Sequence, residues 1–208
     1  MSVNLSEGKE LEELFLPQQD LEKFDHLYLE VEIEAENAEF EGFDLNGDEF
    51  TNKGIVVRPG SSDIIINENI IHGMALPNES AGSELSYGIL VYGDGGGGPN
   101  PPNGIEISEV EIYDVSGSAI SLGQYTMEVE IVENYFHDIN TVDIDGEEIS
   151  VGIQSVFAGD LVIEGNNFEN VRIGTNIALC DNCNVGSNEY ENVDKLNYAI
   201  KDAEEKNS

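Results

Sequence analysis

The stretch "IVENYFHDI", residues 131–139, sets Asn134 between Ile131 and Phe136. Isoleucine and phenylalanine in alternation favour a strand with one buried face. Asparagine favours turns, because its short amide bonds nearby backbone groups. The same arrangement returns as "IINENIIHGM" around Asn69, "VIEGNNFENV" around Asn166 and "NVGSNEYENV" around Asn188. A turn residue that recurs inside apolar runs has an architectural cause, namely a bend between two strands that is repeated along the chain.

Aligned, these runs read apolar, any, apolar, two of any, Asn or small apolar, any, large apolar, two of any, apolar. Six segments fit: Ile33/Ala35/Ala38/Phe40/Phe43, Ile64/Ile66/Asn69/Ile71/Met74, Ile105/Ile107/Val110/Ile112/Val115, Val129/Ile131/Asn134/Phe136/Ile139, Leu161/Ile163/Asn166/Phe168/Val171 and Cys183/Val185/Asn188/Tyr190/Val193. The second anchors recur at intervals of 22 to 41 residues, the shortest approximating the bare repeat and the excess being loop. After five of the segments comes a second short apolar run: "GIVV" at Gly54, "GILV" at Gly88, "AISL" at Ala119, "GIQS" at Gly152 and "NIAL" at Asn176. Period-2 alternation marks these runs as strands. A unit of this size closes no core alone, so coils must stack on one another, about 4.8 Å apart. The expectation is an all-β, right-handed parallel β-helix, a single-stranded solenoid of about six coils with a short N-terminal capping helix. Its hand follows from the preference for right-handed parallel connections. Asn69, Asn134, Asn166 and Asn188 then form an asparagine ladder at one bend, interrupted by Val110 and Ala38.

The chain of 208 residues carries 43 acidic against 8 basic residues, a net charge of −35, with 39% hydrophobic content. That content and the periodicity place it among folded proteins despite the charge. At molar ionic strength the screening length falls to about 3 Å and self-repulsion is quenched, so a salt-adapted (haloarchaeal-type) source is expected. An ordinary acidic protein with bound calcium is the alternative. So few cations release few phosphate counterions, which argues against nucleic acid and anionic lipid as partners. No apolar run reaches the roughly 18 residues of a membrane span, and "MSVNLSEGKE" lacks the pattern of a signal peptide. The expected location is a high-salt cytoplasm, a cell surface or a virion. Cys180 and Cys183, the only cysteines, form one C-x-x-C without the two further ligands of a structural zinc site, and read as buried thiols or a local disulfide.

The period, the N-x-[FIY] bend and the Gly-Ile strand starts resemble the right-handed parallel β-helix superfamily, over about Leu29 to Val193. That superfamily includes pectate lyases, polygalacturonases, alginate and chondroitin lyases, surface adhesins and virus tailspikes. The resemblance implies the fold and leaves the activity open, because the superfamily hosts many functions. It divides the chain into an N-terminal cap (1–28), the solenoid (29–193) and a C-terminal cap or tail (194–208). In the first, Ser6 is a helix N-cap ahead of a face of Leu11, Leu14 and Phe15. The polygalacturonase signatures Asn-Thr-Asp, Asp-Asp, Gly-His-Gly and Arg-Ile-Lys are absent. β-Helix lyases need a Lys or Arg base and cations or calcium for the uronate, and the solenoid offers only Lys53, Arg58 and Arg172, spaced too far apart to converge.

Candidate site residues follow from the stacking. Tyr113, Asp114, His137 and Asp138 fall on adjacent coils just past the bend, where two carboxyl groups could serve as acid and base of an inverting glycosidase. A repeated turn-forming residue is the favoured reading of the same aspartates. The inserts of residues 44–53, 75–87 and 140–148 leave from one corner and form a rim. In it Asp44, Asn46 and Asp48, and again Asp143, Asp145 and Glu147, alternate as at the start of a calcium loop, without its closing glutamate. No cofactor is required by the sequence beyond this possible calcium. On the second strands, Val56, Leu90, Ser121, Gln154 and Ala178 are read as outward. The apolar ones suggest cover by the glycine-rich flap of residues 92–104, by another subunit as in trimeric tailspikes, or by a glycan stacked on Tyr87, Tyr92 or Tyr125. Two functions remain open: a non-catalytic structural, adhesive or glycan-binding module, which is favoured, and a small polysaccharide lyase or glycoside hydrolase using calcium.

Overall fold

The structure is a computed structural model that describes Ser2–Leu5 and residues 30–47, 51–74, 85–93, 100–144 and 147–200. The capping helix expected around Leu11, Leu14 and Phe15 lies outside these residues. The described chain is all-β, and its strands, numbered in chain order, build three parallel sheets. Sheet I holds β3 (Glu36–Glu41), β6 (Ser62–Asn67), β9 (Asn103–Ser108), β12 (Met127–Val132), β17 (Gly159–Glu164) and β20 (Asp181–Gly186). Sheet II holds the short strands β4 (Asp44–Asn46), β7 (Ile70–His72), β10 (Glu111–Tyr113), β13 (Tyr135–His137), β18 (Asn167–Glu169) and β21 (Glu189–Glu191). Sheet III holds β1 (Ser2–Leu5), β2 (Glu30–Ile33), β5 (Lys53–Val57), β8 (Ser86–Val91), β11 (Gly117–Leu122), β16 (Val151–Val156), β19 (Ile173–Ala178) and β22 (Lys195–Ile200). The chain visits sheets I, II and III in turn, six times, and every pairing within a sheet joins one coil to the next. The hairpin of β14 (Val142–Ile144) and β15 (Glu147–Ile149) is the one antiparallel element among the described residues.

Stacking in register puts like residues over like. Ile66, Ile107, Ile131, Ile163 and Val185 form one column, and Ile71, Ile112, Phe136, Phe168 and Tyr190 another. Most of these are fully buried in one continuous core, with Val185 and Tyr190 of the last coil partly covered. Phe136, Phe168 and Tyr190 stack with ring centroids 5.2 Å apart at each step. In sheet III the residue before the inward column Ile55, Ile89, Ile120, Ile153 and Thr175 is Gly or Ala. A Cβ on Gly54, Gly88, Gly152 or Gly174 would stand 2.4–2.7 Å from Ile71, Ile112, Phe168 or Tyr190 respectively.

The ladder forms, and its logic is regular. Asn134 Oδ1 accepts the backbone N–H of Val110 one coil earlier (2.9 Å), while its Nδ2 donates to the Ile107 carbonyl (2.9 Å) and to Asn166 Oδ1 (2.9 Å). Asn166 repeats this with the N–H of Asn134, the Ile131 carbonyl and Asn188 Oδ1. Asn69 does the same toward coil one, binding the Phe43 N–H and the Phe40 carbonyl. Each amide thereby satisfies backbone groups that a bend leaves unpaired in a buried place.

Two register expectations are corrected. In coil one Phe40, not Ala35, pairs with Ile66, and Phe43, not Ala38, holds the bend position. In coil five Thr175, not Ile177, pairs with Ile153, so Asn176 and not Ala178 continues the column Val56, Leu90, Ser121 and Gln154. Sheet III also runs past Val193 through β22, into the segment expected to be a cap. Cys180 and Cys183 form a disulfide across the turn between β19 and β20.

Candidate functional site

Each coil turns by setting single residues in the left-handed region, and these positions too align in columns. Gly73, Asp114, Asp138, Asn170 and Asn192 follow the sheet II strands with φ of 50–72°. The residue before the bend does the same at Gly42, Glu68, Glu109, Glu133, Gly165 and Ser187, and the second residue of each sheet I strand at Asn37, Asp63, Gly104, Glu128, Asp160 and Asn182. Asn, Asp and Gly tolerate this conformation best, which explains why polar residues punctuate the strands.

On the outer face of sheet II this punctuation places the acid–base candidates. Asn46, His72, Tyr113, His137, Glu169 and Glu191 share one column. Tyr113 lies between the rings of His72 (4.7 Å) and His137 (4.8 Å), and Tyr135 stacks on His137 at 4.4 Å. His137 bonds Asp138 Oδ2 through Nδ1 (2.9 Å) and Glu111 Oε1 through Nε2 (3.0 Å), and His72 Nε2 meets Asp44 Oδ1 at 2.9 Å. The phenol of Tyr135 donates to Glu169. That bond holds the proton and pushes the Tyr135 pKa up to about 12. Asp114 accepts from Asn140 (2.7 Å), Asp138 from Asn170 (2.9 Å), and Asn170 from Asn192 (3.1 Å). The bonds from His137 and Asn170 hold the Asp138 carboxyl below its ordinary range. Tyr113, His137 and Asp138 are thus brought together, with ring faces turned on one another and nitrogen and oxygen atoms at the rim.

The other candidates are dispersed. Asp44 and Asn46 lie on strand β4, and Asp143 lies on the hairpin strand β14, with Glu147 on its partner β15. Asp48 and Asp145 fall outside the described residues. Among those described, no three His, Cys, Asp or Glu side chains converge as metal ligands would. Tyr87 and Leu90 are half-buried on β8, and burial pushes the Tyr87 phenol up. Tyr92 carries the Arg58 guanidinium over its ring at 4.9 Å, and Arg58 pairs with Glu32. Arg172, which leads into sheet III in a later coil, meets Glu148 (3.4 Å) and Asp194 (4.0 Å). Val56 is completely buried and Ser121 nearly so, while Leu90, Gln154 and Asn176 are half-exposed, so the second-strand strip is covered at its N-terminal end.

Two features were not anticipated from sequence. The first is an open groove of about 900 Å³ along the outer face of sheet I, lined by Glu39, Asp63, Glu106, Glu128, Glu130 and Asp160 among others. The outward position of each "I-x-I" pair carries an acid or a polar group in four of the six coils, and that alternation was the available signal. The second is an exposed apolar cluster at the corner before β12 and β17, where Phe157 stands beside Tyr125. A large apolar residue two places before a sheet I strand begins, where a turn residue belongs, was its signal.

No curated protein and no solved structure matches this chain. Residues 53–205 match the family described as right handed beta helix region, spanning five of the six coils seen here. The chain therefore belongs to the right-handed β-helix family.

Proposed function

We propose that this chain is a non-catalytic β-solenoid module with a structural, adhesive or glycan-binding role, at a salt-adapted cell surface or on a virus particle. One observation carries the reading. Asp114 and Asp138 stand in the left-handed turn position of their coils, each bonded by an asparagine amide of the following coil. An inverting glycosidase needs one carboxyl with a raised pKa to protonate the leaving group, and Asp138 is shifted the opposite way. Arg58 and Arg172 are engaged by acids at different corners of the solenoid, which disfavours neutralisation of a uronate by either. The net charge of −35 supports the salt-adapted part.

The test is a panel of acidic and neutral polysaccharides at high and low salt, with and without calcium. No new reducing ends and no unsaturated product are expected. Turnover that disappears in Asp138→Asn overturns the reading. Stability should rise steeply from low to molar salt, with sodium or potassium serving as well as calcium. Full stability restored by micromolar calcium alone would instead make the acidic rim a metal site.

A further inference from the structure

Seven large hydrophobic side chains are exposed among the described residues, and four of them share one corner: Tyr125 (47%), Met127 (39%), Val156 (41%) and Phe157 (38%). The rings of Tyr125 and Phe157 lie 6.0 Å apart, and the backbone N–H of Tyr125 donates to the Phe157 carbonyl. Met127 lies against Gly159, where an added Cβ would come 2.7 Å from its sulfur. Tyr125 and Phe157 hold φ of 67° and 59°. Bulky side chains rarely adopt that region; the equivalent turn uses Gly60 in an earlier coil and Leu179, at 52°, in the next one. Folding alone would be served better by Gly or Asn at both places.

The cluster adjoins the acidic groove through its neighbours along the chain. Glu128 follows Met127 and Asp160 follows Gly159, and both line the groove with Glu130, Glu106 and Asp63. An apolar anchor site continuous with a row of carboxylates selects a partner that offers the complement. A second copy of this chain, with 8 basic against 43 acidic residues, has little to set against these carboxylates. We infer that the corner of Tyr125, Met127, Val156 and Phe157, with the sheet I groove, docks a basic protein segment that packs an aromatic or large aliphatic side chain against the exposed faces of Tyr125 and Phe157 and lays lysine or arginine along the carboxylates. This deepens the adhesive reading above and rests on it.

The experiment uses the full chain and two synthetic peptides of equal positive charge, oligolysine and a peptide in which lysine alternates with leucine and tryptophan. The apolar-basic peptide should bind about tenfold more tightly, since the burial of one or two large side chains is worth that much. The advantage should survive at about 1 M salt, where screening over about 3 Å weakens the groove's share. Tyr125→Asn with Phe157→Asn should abolish the advantage while the melting temperature holds or rises, because Asn relieves the left-handed backbone. Glu128→Gln with Asp160→Asn should weaken both peptides and flatten the salt dependence. Equal binding of the two peptides overturns the proposal, as does an advantage retained by the double Asn variant. A dimer of the wild type that is lost in that variant makes the corner a self-association surface, and neutral oligosaccharide binding lost in it makes the corner a glycan platform; either outcome also overturns the proposal. Polysaccharide turnover, assayed in parallel, would sink the adhesive reading itself, so the two failures are distinguishable.

Discussion

Two asparagine-bearing columns run the length of this solenoid, and they differ in little except burial. The bend column (Asn69, Asn134, Asn166, Asn188) and the outer turn column of sheet II (Asp114, Asp138, Asn170, Asn192) both pass amide bonds from coil to coil. In the first, Asn69, Asn134 and Asn166 are buried and serve backbone groups that water does not reach. In the second, the side chains bond one another in solvent and their backbone turns are complete without them. A hydrogen bond is worth about 0.5–1.5 kcal/mol net, whereas a buried polar group left unpaired costs about 1–3 kcal/mol. The inner ladder should therefore hold the fold and the outer one should decorate it. That difference decides how the acid–base candidates are read, because Asp114 and Asp138 belong to the outer column.

The largest expected effect is at the centre of the inner ladder. Asn166→Leu removes the acceptor of the Asn134 N–H and side-chain amide, and the donor to the Ile131 carbonyl. A loss of about 2–4 kcal/mol is expected in denaturant titration, two buried groups at about 1–3 each with partial relaxation. A loss under about 0.5 kcal/mol would erase the distinction between the columns.

The ladder is broken at Val110, and filling the gap sharpens the comparison from the other side. Following the register of the other coils, an asparagine there would accept from the Asn69 N–H and donate to the Ile66 carbonyl and Asn134 Oδ1. Val110→Asn gives up buried apolar surface worth about 1.5 kcal/mol or more and gains two or three bonds of about 0.5–1.5 kcal/mol each. A net gain of up to about 1 kcal/mol is expected in the urea midpoint. Destabilisation by more than that would mean the valine is fitted to its neighbours rather than tolerated.

How far the sequence could be read follows from the same columns. The inner ladder was legible because a polar residue inside an apolar run is a rare event with few explanations. Coil one was misread because the spacing 2, 3, 2, 3 of the apolar template repeats itself after five residues. The segment from Ile33 to Leu45 fills the first four positions in either register, the observed register puts Asp48 at the apolar fifth, and Gly42, in the left-handed place before the bend, is its marker. Coil five slipped by two because a two-residue shift keeps every side chain on its face. The marker there was Gly174, which fits against Tyr190, and not the apolar pair Ile177 and Ala178. Tyr113, His137 and Asp138 were placed side by side correctly by counting from the bend. Tyr125 was named as a stacking platform, but the corner it forms with Phe157 was not seen, since the two lie far apart in sequence, outside the repeat template, and meet only through stacking.

The outer column is tested by Asn170→Gly, which removes the amide bonded to Asp138 and the acceptor of Asn192 while leaving the left-handed turn unstrained. These groups are exposed, and the expected loss is below about 0.5 kcal/mol, within the usual range for surface substitutions. A loss comparable to that of Asn166→Leu would make the outer column structural in its own right.

The smallest effect expected is a pH signature at Asp138. Its folded carboxyl lies below the ordinary value, first because His137 bonds it and then because Asn170 does. A carboxylate held down in the folded state contributes stability that is fully present above the unfolded value, about 3.9 for Asp. That contribution is lost as pH falls from there through the lower folded value, where the unfolded chain binds the proton more readily. The side chain is 59% exposed, so solvent screens much of the effect. The gap between the denaturation midpoints of the wild type and Asp138→Asn should therefore close as pH falls below about 4. Curves that stay parallel to the acid limit would show that His137 and Asn170 do not favour the ionised form. A folded carboxyl that titrates above the unfolded value would have the property an acid catalyst requires, and would return Asp138 to the catalytic candidates.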